Sequence, residues 1–110
     1  MSSALTILPC VCPACGFDGL NSPAYANLRS LPVPHNLEPP YSQHFGNPSY
    51  EVCACCGFEY GNDDEPGTAS PVTFQQYRNE WVSDGAKWFD PTRRPSGWSL
   101  TEQLATAGIS

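Results

Sequence analysis

The chain has 110 residues, six of them cysteine, and a formal charge of −6 from five basic and eleven acidic side chains. That length provides one domain with a modest core. The acidic balance argues against proteins that grip nucleic-acid backbones, whose affinity comes largely from neutralising phosphates.

Twelve prolines and nine glycines leave little room for regular structure, so a metal staple would be useful to so small a fold. Residues 1 to 9 carry no basic stretch, and their apolar run is too short for a secretory signal. No later run is long enough to span a bilayer. The expected location is a reducing cytoplasm, where Cys-x-x-Cys pairs serve more often as metal ligands than as disulfides.

Residues 5 to 20 form the first recognisable unit. An extended approach over 5 to 12 enters Cys12-Pro-Ala-Cys15-Gly16-Phe17. Pro13 fixes φ in the turn, and Gly16 permits the backbone conformation that aims amides at sulfur. Phe17 to Leu20 is expected to lead out as a short strand.

Residues 21 to 49 contain Pro23, Pro32, Pro34, Pro39, Pro40 and Pro48, which rule out a long helix. The expectation is a long surface loop, with room for one helical turn through Tyr25, Leu28 and Leu31. It carries both histidines, His35 and His44.

Residues 50 to 61 repeat the first unit as Cys53-Ala-Cys-Cys56-Gly57-Phe58, with β-prone residues on either side. Each Cys-x-x-Cys would then sit at a hairpin tip, which is the zinc-ribbon arrangement. The acidic turn Asn62-Asp-Asp-Glu-Pro-Gly67 lacks the alternating oxygens and distal Glu of a calcium loop.

From residue 72 onward the chain changes character. Thr73 with Gln76 forms a capping box, and Val72 with Tyr77 is placed as a hydrophobic staple. Phe74, Tyr77, Trp81 and Val82 make one apolar stripe, and Gly85 provides the stop, so the spacing predicts a helix over 73–84. Ser99 and Glu102 form a second capping box ahead of Leu100, Leu104 and Ala107, with Gly108 as the stop, predicting a helix over 99–107. Trp81, Trp88 and Trp98 are expected to be the core that joins these helices to the cysteine turns. The expected fold is a small α+β domain over 1–110: a zinc ribbon of two knuckle-bearing β-hairpins, a proline-rich loop, and two C-terminal helices over 72–110.

Zinc needs about four thiolate or imidazole ligands at tetrahedral corners. Each Cys-x-x-Cys offers two from one tight turn. Cys12, Cys15, Cys53 and Cys56 share both the spacing and the following glycine, and are therefore the expected ligands of one structural Zn2+. Four thiolates on one zinc would bring the formal charge to about −8. Cys10 and Cys55 are left over, either as small packed thiols or as a redox-sensing pair. His35 and His44 stand singly and are poorer ligand candidates. Catalytic zinc keeps an open position, which a site closed by four cysteines lacks. No nucleophile–base grouping or phosphate loop appears elsewhere, so the expectation is a protein that is not an enzyme.

The runs Cys-Pro-Ala-Cys-Gly-Phe-Asp-Gly-Leu (12–20) and Ser-Tyr-Glu-Val-Cys-Ala-Cys-Cys-Gly-Phe-Glu-Tyr-Gly-Asn-Asp-Asp (49–64) resemble the bacterial cysteine-rich CPCC-type small proteins. So do Phe-Gln-Gln-Tyr-Arg-Asn-Glu-Trp (74–81), Gly-Ala-Lys-Trp-Phe (85–89) and Gly-Trp-Ser-Leu-Thr-Glu-Gln-Leu (97–104). The resemblance covers most of the chain outside 21–49. It implies a zinc ribbon with Cys12, Cys15, Cys53 and Cys56 as ligands. The group's association with secreted toxin systems implies an immunity role. Ala54 stands where the group has proline, and Cys10 is an addition to the motif.

The functional expectation is a zinc-stabilised, protein-binding module. In its specific form it is an immunity protein that meets a basic toxin domain through Asp63, Asp64 and Glu65. One alternative is a nucleic-acid-binding ribbon, which would need Arg78, Lys87, Arg93 and Arg94 on one face. The other is thiol redox chemistry through Cys10, Cys55 or an emptied Cys-x-x-Cys turn.

Overall fold

The fold is described from a computed structural model, which describes residues 10–28, 31–34, 36–65, 67 and 70–109. The expected approach over 5–9 and His35 lie outside the described residues. Three helices are present: α1 (Ser42–Phe45), α2 (Phe74–Ser83) and α3 (Leu100–Ala107), with a 3-10 turn at Pro91–Arg93 before α3.

The two longer helices form where caps and periodicity place them. The Thr73 side chain accepts from the Gln76 N–H, and the Gln76 side chain accepts from the Thr73 N–H. This satisfies two donors that α2 would otherwise leave unpaired. The helix ends at a left-handed Gly85 (φ +104°), with the Ala86 N–H returning to the Trp81 carbonyl. α3 begins on a Ser99 hydroxyl that accepts from the Glu102 N–H. It closes the same way as α2, through Gly108 and an Ile109 N–H bond to Leu104. Both ends are Schellman caps.

The expected β-hairpins do not form as ladders. Among the described residues the antiparallel contacts are the isolated bridges Val52↔Glu59 and Tyr25↔Pro48. The reason lies in the turns themselves. In each unit the first cysteine's N–H bonds the phenylalanine carbonyl, at 2.7 Å for Cys12–Phe17 and 2.9 Å for Cys53–Phe58. The glycine N–H then returns to the first cysteine's carbonyl, at 2.8 and 2.9 Å. One more rung follows in each, Leu20 to Cys10 and Tyr60 to Glu51. Beyond it the first unit is drawn aside, because the Asn21 N–H goes to both carboxylate oxygens of Glu51. The second bends away at Gly61 (φ +98°). The cysteine turns are as expected; the strands stop after one rung.

The 21–49 segment is not a surface loop. Ala24, Tyr25, Leu28, Val33 and Tyr41 are buried, and α1 lies within it. Backbone bonds from Ala26 to Asn47, Asn27 to Phe45 and Ser49 to Ala24 zip its two ends together. Its prolines exclude a long helix but do not prevent it from delivering side chains inward. Tyr41 stacks on Phe74 of α2 with ring centroids 3.9 Å apart. Tyr25 packs edge-on against Tyr60 and Phe74. A second aromatic group, Phe17, Trp81, Trp88 and Trp98, joins α2 and α3 to the first cysteine turn, as expected for the tryptophans. No helix among the described residues is long and apolar enough to cross a membrane.

Candidate metal centre

The two cysteine turns meet tip to tip. Cys12, Cys15, Cys53 and Cys56 are buried, and their sulfurs all lie within 4.8 Å of one another. Across the turns, Cys12 Sγ is 3.8 Å from Cys56 Sγ and Cys15 Sγ is 3.7 Å from Cys53 Sγ. A tetrahedron with metal–sulfur bonds of about 2.3 Å has an edge of about 3.8 Å. Residues 38 and 44 positions apart in the chain therefore converge at the separation that a four-thiolate zinc site demands. The donor set is soft and uniform, and it could hold a metal ion.

The electrostatics fit a cation at the centre. Burial pushes the Cys15 and Cys56 thiols well above their ordinary pKa. Cys53 is instead held far below it, by hydrogen bonds from the Cys12, Cys15 and Cys56 side chains in that order. Without counter-charge the cluster thus concentrates negative charge on one sulfur and resists it on others. A divalent cation would let all four ionise.

Around the thiols, α2, α3 and the 86–90 segment form a supporting shell that the sequence did not disclose. Consecutive residues of α2 each hold one turn: the Tyr77 hydroxyl donates to the Cys56 carbonyl (2.9 Å), and Arg78 Nη1 donates to the Ala14 carbonyl (2.9 Å). From α3, Gln103 Nε2 donates to the Cys15 carbonyl at 2.9 Å and approaches Cys55 Sγ at 3.5 Å. The Phe89 and Asp90 N–H groups donate to the Cys55 and Ala54 carbonyls. The Tyr60 hydroxyl is buried and has no hydrogen-bond partner among the described residues. Burial, followed by the charges of Cys12, Cys53 and Cys56, raises its pKa well above the ordinary value. Tyr77 had been legible only as part of an apolar stripe, and nothing in the spacing marks Gln103 or Tyr60.

Of the leftover cysteines, Cys55 is fully buried and Cys10 is half-buried. His44 is exposed, bonds the Glu38 carbonyl, and is far from being a fifth ligand.

The acidic turn requires a correction. Asp64, expected on a partner surface, is fully buried. Its Oδ2 accepts from the Tyr25 hydroxyl (2.8 Å) and the Tyr41 N–H (2.9 Å), and its Oδ1 accepts from the Gly61 N–H (2.8 Å). A carboxyl so enclosed organises the fold and cannot meet a partner. Asp63 is half-buried and accepts from the Glu59 N–H. Only Glu65 is exposed, beside the Ser42 hydroxyl.

Fold and site together define a small protein with three short helices and scarcely any strand among the described residues, built on a buried four-cysteine cluster that could hold a metal ion. The chain is similar to the uncharacterized protein YozI of Bacillus subtilis (strain 168), at 27% identity over 94 residues, covering 76% of this chain. It spans 65% of that relative's length. No family model and no solved structure matches the chain.

Proposed function

We propose that the chain is a cytoplasmic, non-enzymatic protein-binding module built on one structural zinc ion, in the manner of a zinc ribbon. In its most specific form it is a bacterial immunity protein that neutralises a basic toxin domain. The observation that carries the zinc reading is the pair of sulfur separations, 3.7 and 3.8 Å, in a cluster closed on all sides. A buried four-thiolate site leaves no position for a reacting water, which supports a structural role. The resemblance to CPCC-type proteins and the net charge of −6 support a basic partner.

With Asp64 buried, the partner surface moves to the end of α2. Glu80 and Asp84 are exposed one helical turn apart, beside half-buried Tyr77. Phe89, 65% exposed, lies across Gly57 from the Tyr77 hydroxyl. Glu80 and Asp84 set two negative charges against the one positive charge of Lys87 in the same hollow, which suits a basic partner. The nucleic-acid alternative is weakened because Arg78 is buried, while Arg93 and Arg94 lie over the Phe17 and Trp98 rings.

Metal analysis of purified protein tests the first part. One zinc per chain is expected, with Cys10 reacting with a thiol reagent in the native state and Cys55 only after unfolding. Metal-free protein with paired cysteines would overturn it. Co-expression with the product of the neighbouring gene tests the second. Rescue from toxicity and co-purification are expected, both lost in a Glu80→Lys/Asp84→Lys variant that still holds zinc. Failure of rescue and of complex formation would end the immunity reading while leaving the zinc site standing.

A further inference from the structure

A pocket of about 250 Å³ opens on the face of α2 that carries Phe74 and Arg78. Its walls are largely hydrocarbon: the rings of Pro13, Pro32 and Pro34, with Val33, Phe74 and Ile109. Among the described residues no acidic side chain lines it, and Arg78 is the charged residue in its wall. In a chain of net charge −6 it turns a positive side chain toward the pocket.

Arg78 is only 7% exposed, yet one of its five N–H donors has an assigned acceptor among the described residues, the Ala14 carbonyl. The Cys12 and Cys15 sulfurs act on it through their charge but accept no hydrogen bond from it among the described residues. The remaining Arg78 donors are not sealed from solvent, since among the described residues the buried side-chain polar atoms without a partner are on Tyr60 and Trp88. The guanidinium is thus free to take an acceptor in the pocket.

The first turn of α2 faces the same space. Its Phe74 N–H is taken by the Tyr41 hydroxyl, and its Gln76 N–H by Thr73 Oγ1. The Gln75 N–H between them has no partner among the described residues, and Gln75 lines the pocket. The helix thus adds an unsatisfied amide and its positive end to the guanidinium one turn further on.

We propose that this pocket binds a small monocarboxylate with an apolar body, the carboxylate held by the Arg78 fork and the Gln75 N–H, the body lying among the proline rings, Val33 and Ile109. The planar fork matches two carboxylate oxygens. A single guanidinium and one amide suit one negative charge better than a phosphate dianion. The volume equals that of about eight liquid waters at about 30 Å³ each, which fits a small acid. This site is separate from the proposed partner face and depends on neither the toxin nor the immunity reading.

The test is an NMR titration of the intact, metal-loaded chain with benzoate, with benzamide as the uncharged isostere and inorganic phosphate as a competing anion. Saturable shifts are expected at the Gln75 and Ile109 amides with benzoate, and binding about tenfold or more weaker with benzamide, as loss of a charged hydrogen-bonded pair implies. Gln75→Glu, an exposed change that places a negative charge at the mouth, is expected to weaken benzoate binding while leaving thermal unfolding in place. Arg78→Lys keeps the charge but loses the fork, and is expected to weaken it too; should that variant fail to fold, Gln75→Glu decides alone. Absence of saturable shifts, equal binding of benzamide, tighter binding of phosphate, or indifference to Gln75→Glu would each overturn the proposal.

Discussion

The residue whose role is most unlike its appearance is Asp64. Its side chain is enclosed by three donors, from Tyr25, Tyr41 and Gly61. Asp64→Asn replaces one acceptor oxygen by an N–H facing other N–H or O–H groups, and hydrogen bonds to charged groups are each worth about 1.5–3 kcal/mol. The expected loss is about 2–3 kcal/mol in urea unfolding, with the metal content unchanged; Glu65→Gln, on the surface, should stay within about 0.5 kcal/mol. Equal effects of the two would contradict the burial of Asp64. Its tyrosine partner makes stability pH-dependent. Burial first, and then the Asp64 charge, hold the Tyr25 phenol far above its ordinary pKa. The unfolded chain releases that proton near pH 10 and the folded chain does not, so the contribution is whole below about pH 10. Above it, stability falls by up to about 1.4 kcal/mol per pH unit for this one group. Tyr25→Phe should therefore be weaker at neutral pH but lose stability less steeply in alkali; parallel alkaline curves for the two proteins would refute this. None of this was legible in the sequence, because Tyr25 and Tyr41 reach Asp64 across 39 and 23 positions. A run of acids before a glycine reads as a solvated turn unless those partners are known.

At the scale of elements, legibility followed the range of the forces involved. α2 and α3 were readable to within a residue at their ends because caps and stops are local: Thr73 with Gln76, Ser99 with Glu102, and Gly85 and Gly108 all act within one turn. The cysteine turns were readable for the same reason. The strands were not, because whether a turn extends into a ladder depends on what lies beyond it, here Glu51 capturing the Asn21 amide. The 21–49 segment was misread because prolines report on backbone regularity and not on burial. Gly16 shows local and tertiary demands meeting at one position. It sits at φ +86°, and a Cβ there would come within 3.0 Å of both the Ala107 side chain and the Gln103 carbonyl in α3. Left-handed strain alone costs about 1–2 kcal/mol in a residue with a Cβ, and overpacking adds about 1–3 kcal/mol. Gly16→Ala is thus expected to lower stability by about 2–5 kcal/mol and to perturb α3 resonances. A change confined to the first cysteine turn, with α3 unmoved, would show that the two elements are less tightly packed than described.

At the scale of the whole molecule, the cysteine cluster and the helices stabilise one another. α2 holds one turn through Tyr77 and the other through Arg78, and α3 holds Cys15 through Gln103. The helices gain fixed docking points only if the two turns stay together, and at their tips the contact between the turns is made by the four thiols. The zinc ion proposed for the tetrad would close the long excursion of residues 16–52, whose ends are otherwise held by packing and by hydrogen bonds such as those from the Asn21 N–H to Glu51. Structural zinc in small domains contributes about 10–16 kcal/mol, as large as or larger than the entire net stability of about 5–15 kcal/mol typical of a domain. Chelation should therefore not merely loosen the cysteine turns. The helical circular-dichroism signal and the sharp amide dispersion of α2 and α3 are expected to be lost together, and to return together when zinc is restored to reduced protein. Cys12→Ser should move the holo protein in the same direction, since it removes one corner and leaves the other three thiolates with an incomplete site. If chelation strips the metal while the helical signal and thermal midpoint stay where they were, the aromatic core centred on Tyr25, Tyr41 and Phe74 is sufficient to hold the fold, and the cluster is a passenger on it.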